Sequence, residues 1–443
     1  MKTPIFDFLK SYSQSDKIRL HMPGHKGRGE LFCESYDITE VTGADSLYEA
    51  DSVIKESEAL AGELFGARTF YSTEGSSLAI RAMLYLAYTE KKGKIVAPRN
   101  VHRSFVSAAA LIGFDVVWVD SENGYSYLSC KLSLSDIERT LLENPDSSAV
   151  YLTSPDYLGG TADISAIAEI CHRHGVLLLV DNAHGAYLNF LSPSRHPIAL
   201  GADLCADSAH KTLSTLTGGA YLHISKNVNK DLQNRAKGAM ALFASTSPSY
   251  LILSSLDCTN AYVSGDYKDR LSGFIARIRE IKAELSRSGY TLFDTEGDPL
   301  KITLLTKSYG YLGREIARQL SSVGIECEFS DADCIVFMLT PENTEEELSL
   351  LLDALLRIPK KTPVLAQPPK LCKPRGLLSI REAVMLPSEE VSVDEALGRI
   401  ISDTHLSCPP AVPICLPGEE ASLAVLDVLR YYGVKKLRVV KTK

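Results

Sequence analysis

The feature of this sequence that most constrains its fold is a repeated alternation of short apolar segments with longer helical ones, beginning near residue 51. The segment at residues 176–180 is apolar throughout, which is typical of a central strand buried on both faces of a parallel sheet. Parallel strands need crossover connections, and the intervening helical segments supply them. The sequence therefore predicts an α/β protein with a mostly parallel sheet and ligand sites at the carboxyl ends of its strands.

The individual elements follow from apolar periodicity and from the turn residues between periodic segments. Strands are predicted at residues 69–71, 94–97, 115–119, 149–152, 176–180, 219–224, 301–305 and 334–339. Helices are predicted near residues 5–9 and at 56–65, 78–83, 134–142, 164–174, 267–286, 312–323 and 344–356. A further helix is predicted to begin within residues 99–104. The basic and apolar residues at 435–441 alternate as in a terminal strand.

The length of 443 residues exceeds one ordinary core, so more than one domain is expected. We predict an N-terminal segment at 1–50, a large ligand-binding domain at 51–295, a small α+β domain at 296–360 and a C-terminal domain at 361–443. A proline-rich linker at 359–374 separates the last two.

Composition excludes several classes of protein. A net charge of -8 without a long basic run argues against nucleic acid as a partner. The N-terminus turns polar too early for a signal peptide and no apolar run reaches spanning length, so we expect a cytoplasmic protein without membrane contact. Ten cysteines without a Cys-x-x-Cys pair form neither a zinc pattern nor a disulfide framework, and we predict no metal site.

Lys211, in the stretch 206–214, is a candidate catalytic lysine. Partly apolar surroundings lower the pKa of a lysine, so that its free amine can attack an aldehyde. The neighbouring Ser208, His210 and Thr212 can hydrogen-bond a phosphate. The alternative for Lys211 is an ordinary solvated loop lysine.

A candidate phosphate cradle lies where a predicted strand passes into a helix through Gly75, Ser76 and Ser77. Free backbone N–H groups, the positive end of the helix dipole and two hydroxyls point the same way at such a junction. The alternative is that these residues only cap the helix.

Two further features complete the requirements of one cofactor, pyridoxal phosphate. His102 stands at a helix start, and Asp181 ends the buried strand. The alternative for Asp181 is an ordinary strand-end cap. Pyridoxal phosphate needs a carboxylate for its ring nitrogen, a flat group against its ring, phosphate donors and a Schiff-base lysine. The order and spacing of these features predict a pyridoxal phosphate enzyme.

With these motifs the sequence resembles the pyridoxal-phosphate-dependent ornithine, lysine and arginine decarboxylases of the aspartate aminotransferase fold, fold type I, in the short form without an N-terminal wing domain. The resemblance covers nearly the whole chain and implies a large domain with a seven-stranded, mostly parallel sheet and small α+β C-terminal domains. The matching stretches are residues 21–27, 37–40, 99–104, 153–159, 181–185, 208–213, 245–250, 409–413 and 417–419.

The resemblance implies a role for each matching residue. Lys211 would form the Schiff base, Asp181 would pair with the pyridine nitrogen, and His102 would stack on the ring. His184 would lie near the ring oxygen. The phosphate would be held by a group of small and polar residues, namely Gly75, Ser76, Ser77, Ser208 and His210, with Thr246 or a neighbouring serine reaching it from a partner subunit.

The function implied is decarboxylation of arginine, lysine or ornithine to agmatine, cadaverine or putrescine, by a homodimer or higher homo-oligomer. Two alternatives stay open at this point. One is an aminotransferase or another lyase with the same cofactor, because the fold does not fix the reaction. The other is a non-catalytic regulatory protein that binds the cofactor.

The sequence departs from the family pattern at four positions. Asn182 replaces a glutamate, Glu74 an asparagine, Tyr48 a histidine and Gly219 a glutamine. We expect the carboxylate of Glu74 to point away from the phosphate, which it would otherwise repel. Glu419 is a candidate for the acidic group that recognises the substrate side chain.

Overall fold

The computed structural model describes residues 1–119, 122–123, 127–294, 296–370, 374–403 and 410–441. Its helices are α1 (Pro4–Ser13), α2 (Val53–Phe65), α3 (Gly75–Glu90), α4 (Arg103–Ile112), α5 (Leu134–Glu143), α6 (Ile164–Arg173), α7 (Ala209–Thr212), α8 (Lys230–Asn234), α9 (Ala236–Ala241), α10 (Tyr250–Val263), α11 (Tyr267–Arg287), α12 (Gly313–Ser321), α13 (Glu345–Leu356), α14 (Ile380–Met385) and α15 (Leu423–Tyr431). No helix within these residues is both long enough and apolar enough to cross a lipid bilayer.

The strands are β1 (Ala67–Ser72), β2 (Lys94–Ala97), β3 (Val116–Trp118), β4 (Glu122–Asn123), β5 (Cys130–Lys131), β6 (Ser147–Thr153), β7 (Leu177–Asp181), β8 (Leu204–Asp207), β9 (Ala220–Ser225), β10 (Thr291–Leu292), β11 (Lys301–Leu305), β12 (Phe329–Ser330), β13 (Cys334–Met338), β14 (Ser388–Ser392) and β15 (Lys436–Val440). Short 3-10 turns lie at Leu47–Glu49, Ala186–Phe190, Thr306–Tyr309 and Val393–Ala396.

The strands and helices predicted from periodicity are confirmed, with bounds that differ by a few residues. Strand β8 was not predicted, because four residues are too few to display an alternating pattern. It is nevertheless the strand that leads directly into Lys211.

Seven strands form one mostly parallel sheet, which confirms the predicted fold class. The chain divides into two compact units. The first unit comprises residues 1–93, 145–154 and 163–271, and the second comprises 94–144, 155–162 and 272–443.

In the first unit five strands of the sheet run in the order β1-β9-β8-β7-β6. Strands β6, β7 and β8 are parallel neighbours, while β9 runs antiparallel to β8 and to β1. The side chains of Leu178, Leu179 and Val180 in β7 are fully buried, and each contributes about 1.5–3 kcal/mol through removal of apolar surface from water. This burial fixes the position of Asp181, at the carboxyl end of β7.

The second unit holds the parallel pair β2 and β3 and two smaller α+β cores. The antiparallel sheet β10-β11-β13-β12 packs its apolar residues with those of α11, α12 and α13. A two-stranded sheet of β14 and β15 shares a second core with α15. Strand β15 confirms the terminal strand predicted at 435–441.

Candidate active site

Lys211 lies in the single helical turn α7, immediately after β8. Its backbone N–H donates to the carbonyl of Ser208 at 3.1 Å, and its side chain is half-buried. The Nζ atom lies 3.1 Å from Nε2 of His184, which follows the neighbouring strand β7. Two residues predicted to meet at the cofactor are thus in direct contact.

Asp181 is almost completely buried, with 1% of its surface exposed. Its carboxylate accepts hydrogen bonds from the Tyr151 hydroxyl at 3.0 Å and from the Ala183 N–H at 3.1 Å. Burial raises the pKa of Asp181, and the positive charge of Lys211 opposes that rise. Neither hydrogen-bond donor carries a charge, so a protonated pyridine nitrogen is the kind of cationic donor that would stabilise this buried carboxylate.

The predicted phosphate cradle is formed at the start of α3. Gly75 has a φ of 70°, a left-handed conformation that favours glycine, and its N–H donates to the carbonyl of Gly218 at 2.8 Å. The N–H groups of a first helical turn have no acceptor within the helix. The Ser208 hydroxyl donates to Oγ of Ser76 at 2.7 Å, so the start of α3 and the loop that precedes Lys211 meet. These groups fit a phosphate.

His210 contacts the backbone of Gly219 twice. The carbonyl of Gly219 accepts from the His210 N–H at 3.2 Å and lies 3.0 Å from Nδ1, which therefore carries a proton. Burial lowers the pKa of His210, while its bond to this carbonyl opposes the shift. Donation from Nε2 to a phosphate would require the imidazolium form, which a phosphate charge would favour.

The departure at Gly219 has a steric cause. A Cβ atom at this position would lie 2.3 Å from Cγ2 of Thr215 and 3.2 Å from Cδ2 of Leu256. A glutamine at residue 219 would therefore need a different neighbour at residue 215.

The departure at Glu74 contacts the matching stretch 245–250, and the departure at Tyr48 lies near Glu74 and the buried Glu58. Glu74 is exposed, and its Oε1 accepts from the backbone N–H of Ser245 at 2.7 Å. Burial raises the pKa of Tyr48, and the charges of Glu74 and Glu58 add to that rise. The hydroxyl of Tyr48 has no hydrogen-bond partner within the described part of the chain.

The side chain of Thr246 is exposed in the single chain. Its contact with the cofactor of a partner subunit stays a prediction. Within the first unit the motif at 21–27 contacts the motif at 37–40, because Nε2 of His25 lies 3.2 Å from Oδ2 of Asp37.

In the second unit, His102 is the N-cap of α4 and accepts from the Ser104 N–H through Nδ1 at 3.2 Å. This bond leaves the proton of a neutral imidazole on Nε2. The stacking role of His102 stays a prediction.

Glu419, also in the second unit, is already engaged. Its carboxylate forms a bidentate ion pair with Arg99, with Nη2 and Oε2 3.0 Å apart, and accepts from the Leu416 N–H at 2.8 Å. Because these contacts already neutralise the carboxylate and occupy its oxygens, they weigh against the suggested role of Glu419 in substrate recognition. Of the neighbouring motif at 409–413, Pro409 lies outside the described residues, and the carbonyl of Ala411 accepts from the Arg103 N–H at 2.9 Å.

The loop after β6 is organised in the second unit by Asp156, which sequence reasoning did not single out. Its carboxylate accepts from the Ser129 hydroxyl at 2.6 Å and from the N–H groups of Leu158, Gly159 and Gly160 at 2.8–3.0 Å. Burial raises the pKa of Asp156 to about 6, although these hydrogen bonds oppose the rise. An aspartate followed closely by Gly-Gly after a strand was the available signal.

Sequence reasoning also missed the residues that surround Asp181. Tyr151 is in β6, thirty residues earlier in the chain, and only the strand register brings its hydroxyl to the carboxylate. Asn182 is fully buried, and its side chain contacts Asp207 at the end of β8.

Comparison with known proteins gives the family of this chain. A model of the Orn/Lys/Arg decarboxylase major domain matches residues 3–297. The arginine decarboxylase of Bacillus subtilis (strain 168) is 31% identical over 94% of this chain and 91% of its own length. The arginine decarboxylase of Halalkalibacterium halodurans is 28% identical over 96% of this chain and 93% of its own.

Solved structures of similar fold include a lysine decarboxylase of Francisella novicida, with a TM-score of 0.83 and 18% identity over 99% of this chain and 81% of that chain. The constitutive lysine decarboxylase of E. coli has a TM-score of 0.78 and 18% identity over 99% of this chain and 82% of that chain. The resemblance and the reaction class predicted from the motifs are confirmed. The chain belongs to the Orn/Lys/Arg decarboxylase family, and it is a pyridoxal-phosphate-dependent decarboxylase of basic amino acids with fold type I.

Proposed function

We propose that L-arginine is the substrate and that the reaction takes place at the contact between Lys211 and His184, beside Asp181. The observation that carries the site is the 3.1 Å separation of Lys211 Nζ and His184 Nε2. The choice of arginine rests on relatives that are arginine decarboxylases and are 28–31% identical over at least 94% of this chain. The lysine decarboxylases support only the fold.

Pyridoxal phosphate, when bound, supplies an aldehyde that takes up an amine and a conjugated ring that accepts an electron pair. Lys211 would hold the aldehyde carbon and Asp181 would hold the proton of the ring nitrogen. The start of α3, with Ser76 bridged to Ser208, would hold the phosphate.

Proton movement is the task that this chain's own residues are placed to perform. His184 Nε2 and Lys211 Nζ are within proton-transfer distance, so the imidazole can receive a proton from the amine and return it. The buried Asp181 becomes ionised most readily when a cation faces it, because its surroundings otherwise raise its pKa. Stacking on the cofactor ring is the role we propose for His102.

We also propose a homodimer in which Thr246 contributes to the partner's site. The exposed position of Thr246 supports this assembly. So do the large apolar side chains of Ile18, Leu20 and Phe32 in the first unit, which are 84%, 89% and 98% exposed in the single chain.

A cytoplasmic location is part of the same proposal. The seven cysteines whose side chains the structure describes are all free thiols, namely Cys33, Cys171, Cys205, Cys258, Cys327, Cys334 and Cys415. Free thiols are the normal state in a reducing compartment.

The test is mass spectrometry of the products after the protein and pyridoxal phosphate are incubated with arginine, lysine and ornithine together. We expect agmatine, and we expect it to disappear in Lys211→Ala but not in the matched surface variant Lys226→Ala. Cadaverine or putrescine as the main product would reject arginine. Turnover that requires an added keto acid and releases no amine would reject decarboxylation.

A further inference from the structure

The first unit contains a polar cluster that is completely shielded from solvent and is formed at the carboxyl ends of β7 and β8, with one residue from β9 and one from the loop that precedes β8. Its members Asn182, His196, Asp207 and His223 are each 0% exposed. Most fully buried polar groups are hydrogen-bonded, because a buried polar group without a partner is costly. None of the four is among the residues proposed above to hold the cofactor.

Asp207 is the centre of the cluster. Its Oδ2 lies 3.0 Å from Nε2 of His196 and 3.2 Å from Nε2 of His223. Its Oδ1 accepts from Nδ2 of Asn182 at 2.7 Å and from the Cys205 thiol at 3.4 Å. A carboxylate can only accept, so all four neighbours act as donors.

The protonation of both histidines follows from these contacts. The Ile198 N–H points at Nδ1 of His196 at 3.4 Å, and the Thr69 hydroxyl lies 2.9 Å from Nδ1 of His223. The Ile198 N–H can only donate, so His196 accepts at Nδ1 and donates from Nε2 to Asp207. Burial lowers the pKa of His223 and favours its neutral ring, which can accept from the Thr69 hydroxyl at Nδ1 while Nε2 donates to Asp207. Burial alone would raise the pKa of Asp207, but the interactions with the two histidines outweigh it and hold that pKa well below its ordinary value.

The amide of Asn182 is oriented by this carboxylate. Its Nδ2 faces Asp207, while its Oδ1 is buried with no hydrogen-bond partner among the described residues. The opposite amide orientation would place Oδ1 against the Asp207 carboxylate. The orientation with an unsatisfied Oδ1 is therefore the more favourable of the two. A glutamate at residue 182, as in the family pattern, would face Asp207 with a second negative charge in a site without water.

The cluster joins two parts of the active site along the chain. Asn182 directly follows Asp181, and Asp207 directly precedes Ser208. The Ser208 hydroxyl reaches Ser76, and its carbonyl accepts from the Lys211 N–H. The bond between Asn182 and Asp207 therefore ties the strand end that carries Asp181 to the strand end that leads into Lys211.

We propose that Asn182 and Asp207 are a positioning pair, anchored by His196 and His223, that fixes Asp181 relative to Lys211 and the phosphate cradle. The inference rests on the roles proposed above for Asp181 and Lys211. The negative charge of Asp207 also acts on Asp181 directly, since it adds to the rise in the pKa of Asp181. Asp207 thus influences both where Asp181 lies and how readily it is ionised.

The same three side chains, His196, Asp207 and His223, are close enough together to be considered as metal ligands. The hydrogen bonds argue otherwise, because a metal needs the lone pairs of both Nε2 atoms and the Ile198 N–H assigns the proton of His196 to Nε2. Elemental analysis of the purified holoenzyme separates the two: we expect substoichiometric metal, and one bound ion per chain would overturn the positioning pair.

The decisive experiment is a charge swap across the pair, read out by cofactor binding. Asn182→Asp places two carboxylates together, and we expect pyridoxal phosphate to bind about tenfold or more weakly. The pH midpoint of the absorbance change of the bound cofactor should also move. Adding Asp207→Asn to that variant restores one donor and one acceptor, and we expect most of the lost affinity to return. Asn227→Asp, at an exposed position, is the matched control.

The thermal melting temperature of each variant shows whether it folds. If Asn182→Asp does not fold, Asn182→Ala replaces it in the test. Asn182→Ala removes the donor without adding charge, and we expect a shifted absorbance midpoint in a folded protein. An unchanged midpoint and affinity in Asn182→Ala, or no recovery in the folded double variant, would overturn the pair. These outcomes concern cofactor binding, so they stay distinct from a failure of the wild-type protein to release an amine, which would reject the proposed function instead.

Discussion

The hydroxyl of Tyr151 donates a 3.0 Å hydrogen bond to Oδ2 of Asp181, and both side chains are buried. We expect Tyr151→Phe to raise the pKa of Asp181 further and to weaken its hold on a protonated ring nitrogen. A hydrogen bond to a charged group contributes about 1.5–3 kcal/mol, so pyridoxal phosphate should bind about tenfold or more weakly. Fluorescence titration with the cofactor measures this change.

The control for that prediction is Tyr36→Phe, at a half-buried tyrosine of the same unit. Equal cofactor affinity in Tyr151→Phe and in the wild type would show that Asp181 does not depend on this donor.

The contact between His184 and Lys211 predicts a kinetic effect. His184→Asn keeps a polar group but removes the imidazole that lies 3.1 Å from Nζ. Positioned acid–base groups contribute about 100-fold or more to a rate, so we expect kcat to fall by about that factor while KM changes little. Steady-state amine release across pH 5–9 checks it. A raised KM with an unchanged kcat would instead assign His184 to substrate binding.

The parts of this site that the sequence predicted are those set by local chain geometry. Lys211, Asp181 and the Gly75 turn each stand at a strand end or a helix start, and such positions are visible as changes in periodicity. Tyr151 and Asp207 were not found, because their roles depend on which strands are neighbours and on the register between them. A single sequence carries little information about register.

The departures from the family pattern show the same limit. Residue by residue, Asn182 and Gly219 are substitutions without evident cause. The structure explains each by a partner that the sequence alone does not reveal, Asp207 for the first and Thr215 for the second. A departure can therefore be detected from the sequence, whereas its compensation requires the fold.

The tight packing of Gly219 predicts a paired steric effect. Gly219→Ala brings a methyl group to 2.3 Å from Cγ2 of Thr215, and we expect a loss of about 1–3 kcal/mol in the free energy of unfolding. Adding Thr215→Ser removes that methyl group and keeps the hydroxyl that contacts Thr259. The double variant should recover most of the loss in urea titration. Equal instability of the single and double variants would place the strain elsewhere.

The buried Asp156 predicts a pH dependence of stability. Its pKa is raised to about 6 from 3.8, so its contribution is fully present below pH 3.8 and is lost as the pH rises through 6. Asp156→Asn can still accept the three backbone N–H bonds without acquiring charge. We expect the variant to gain up to about 3 kcal/mol in free energy of unfolding relative to the wild type between pH 4 and pH 7.

Urea titrations of both proteins at several pH values measure this difference. Asn227→Ala, at an exposed position without a titratable group, is the control and should follow the wild-type profile. Parallel profiles for Asp156→Asn and the wild type would mean that the loop already stabilises the ionised carboxylate fully.

The ion pair between Arg99 and Glu419 predicts a separation of stability from substrate recognition. Glu419 is 6% exposed and accepts from Arg99 and from the Leu416 N–H. The Arg99 side chain is partly exposed, so water compensates part of the charge that removal of one partner leaves, and the cost stays below the roughly 3–5 kcal/mol of a fully buried pair. We expect Glu419→Gln to lose stability and to keep its KM for the amino acid. Because the amide introduced by Glu419→Gln would still meet the cation, Arg99→Met serves as the second variant and should destabilise to a similar degree. A KM that rises for arginine in Glu419→Gln but not in Arg99→Met would instead return Glu419 to the substrate pocket, since only a direct contact with the substrate side chain distinguishes the two variants.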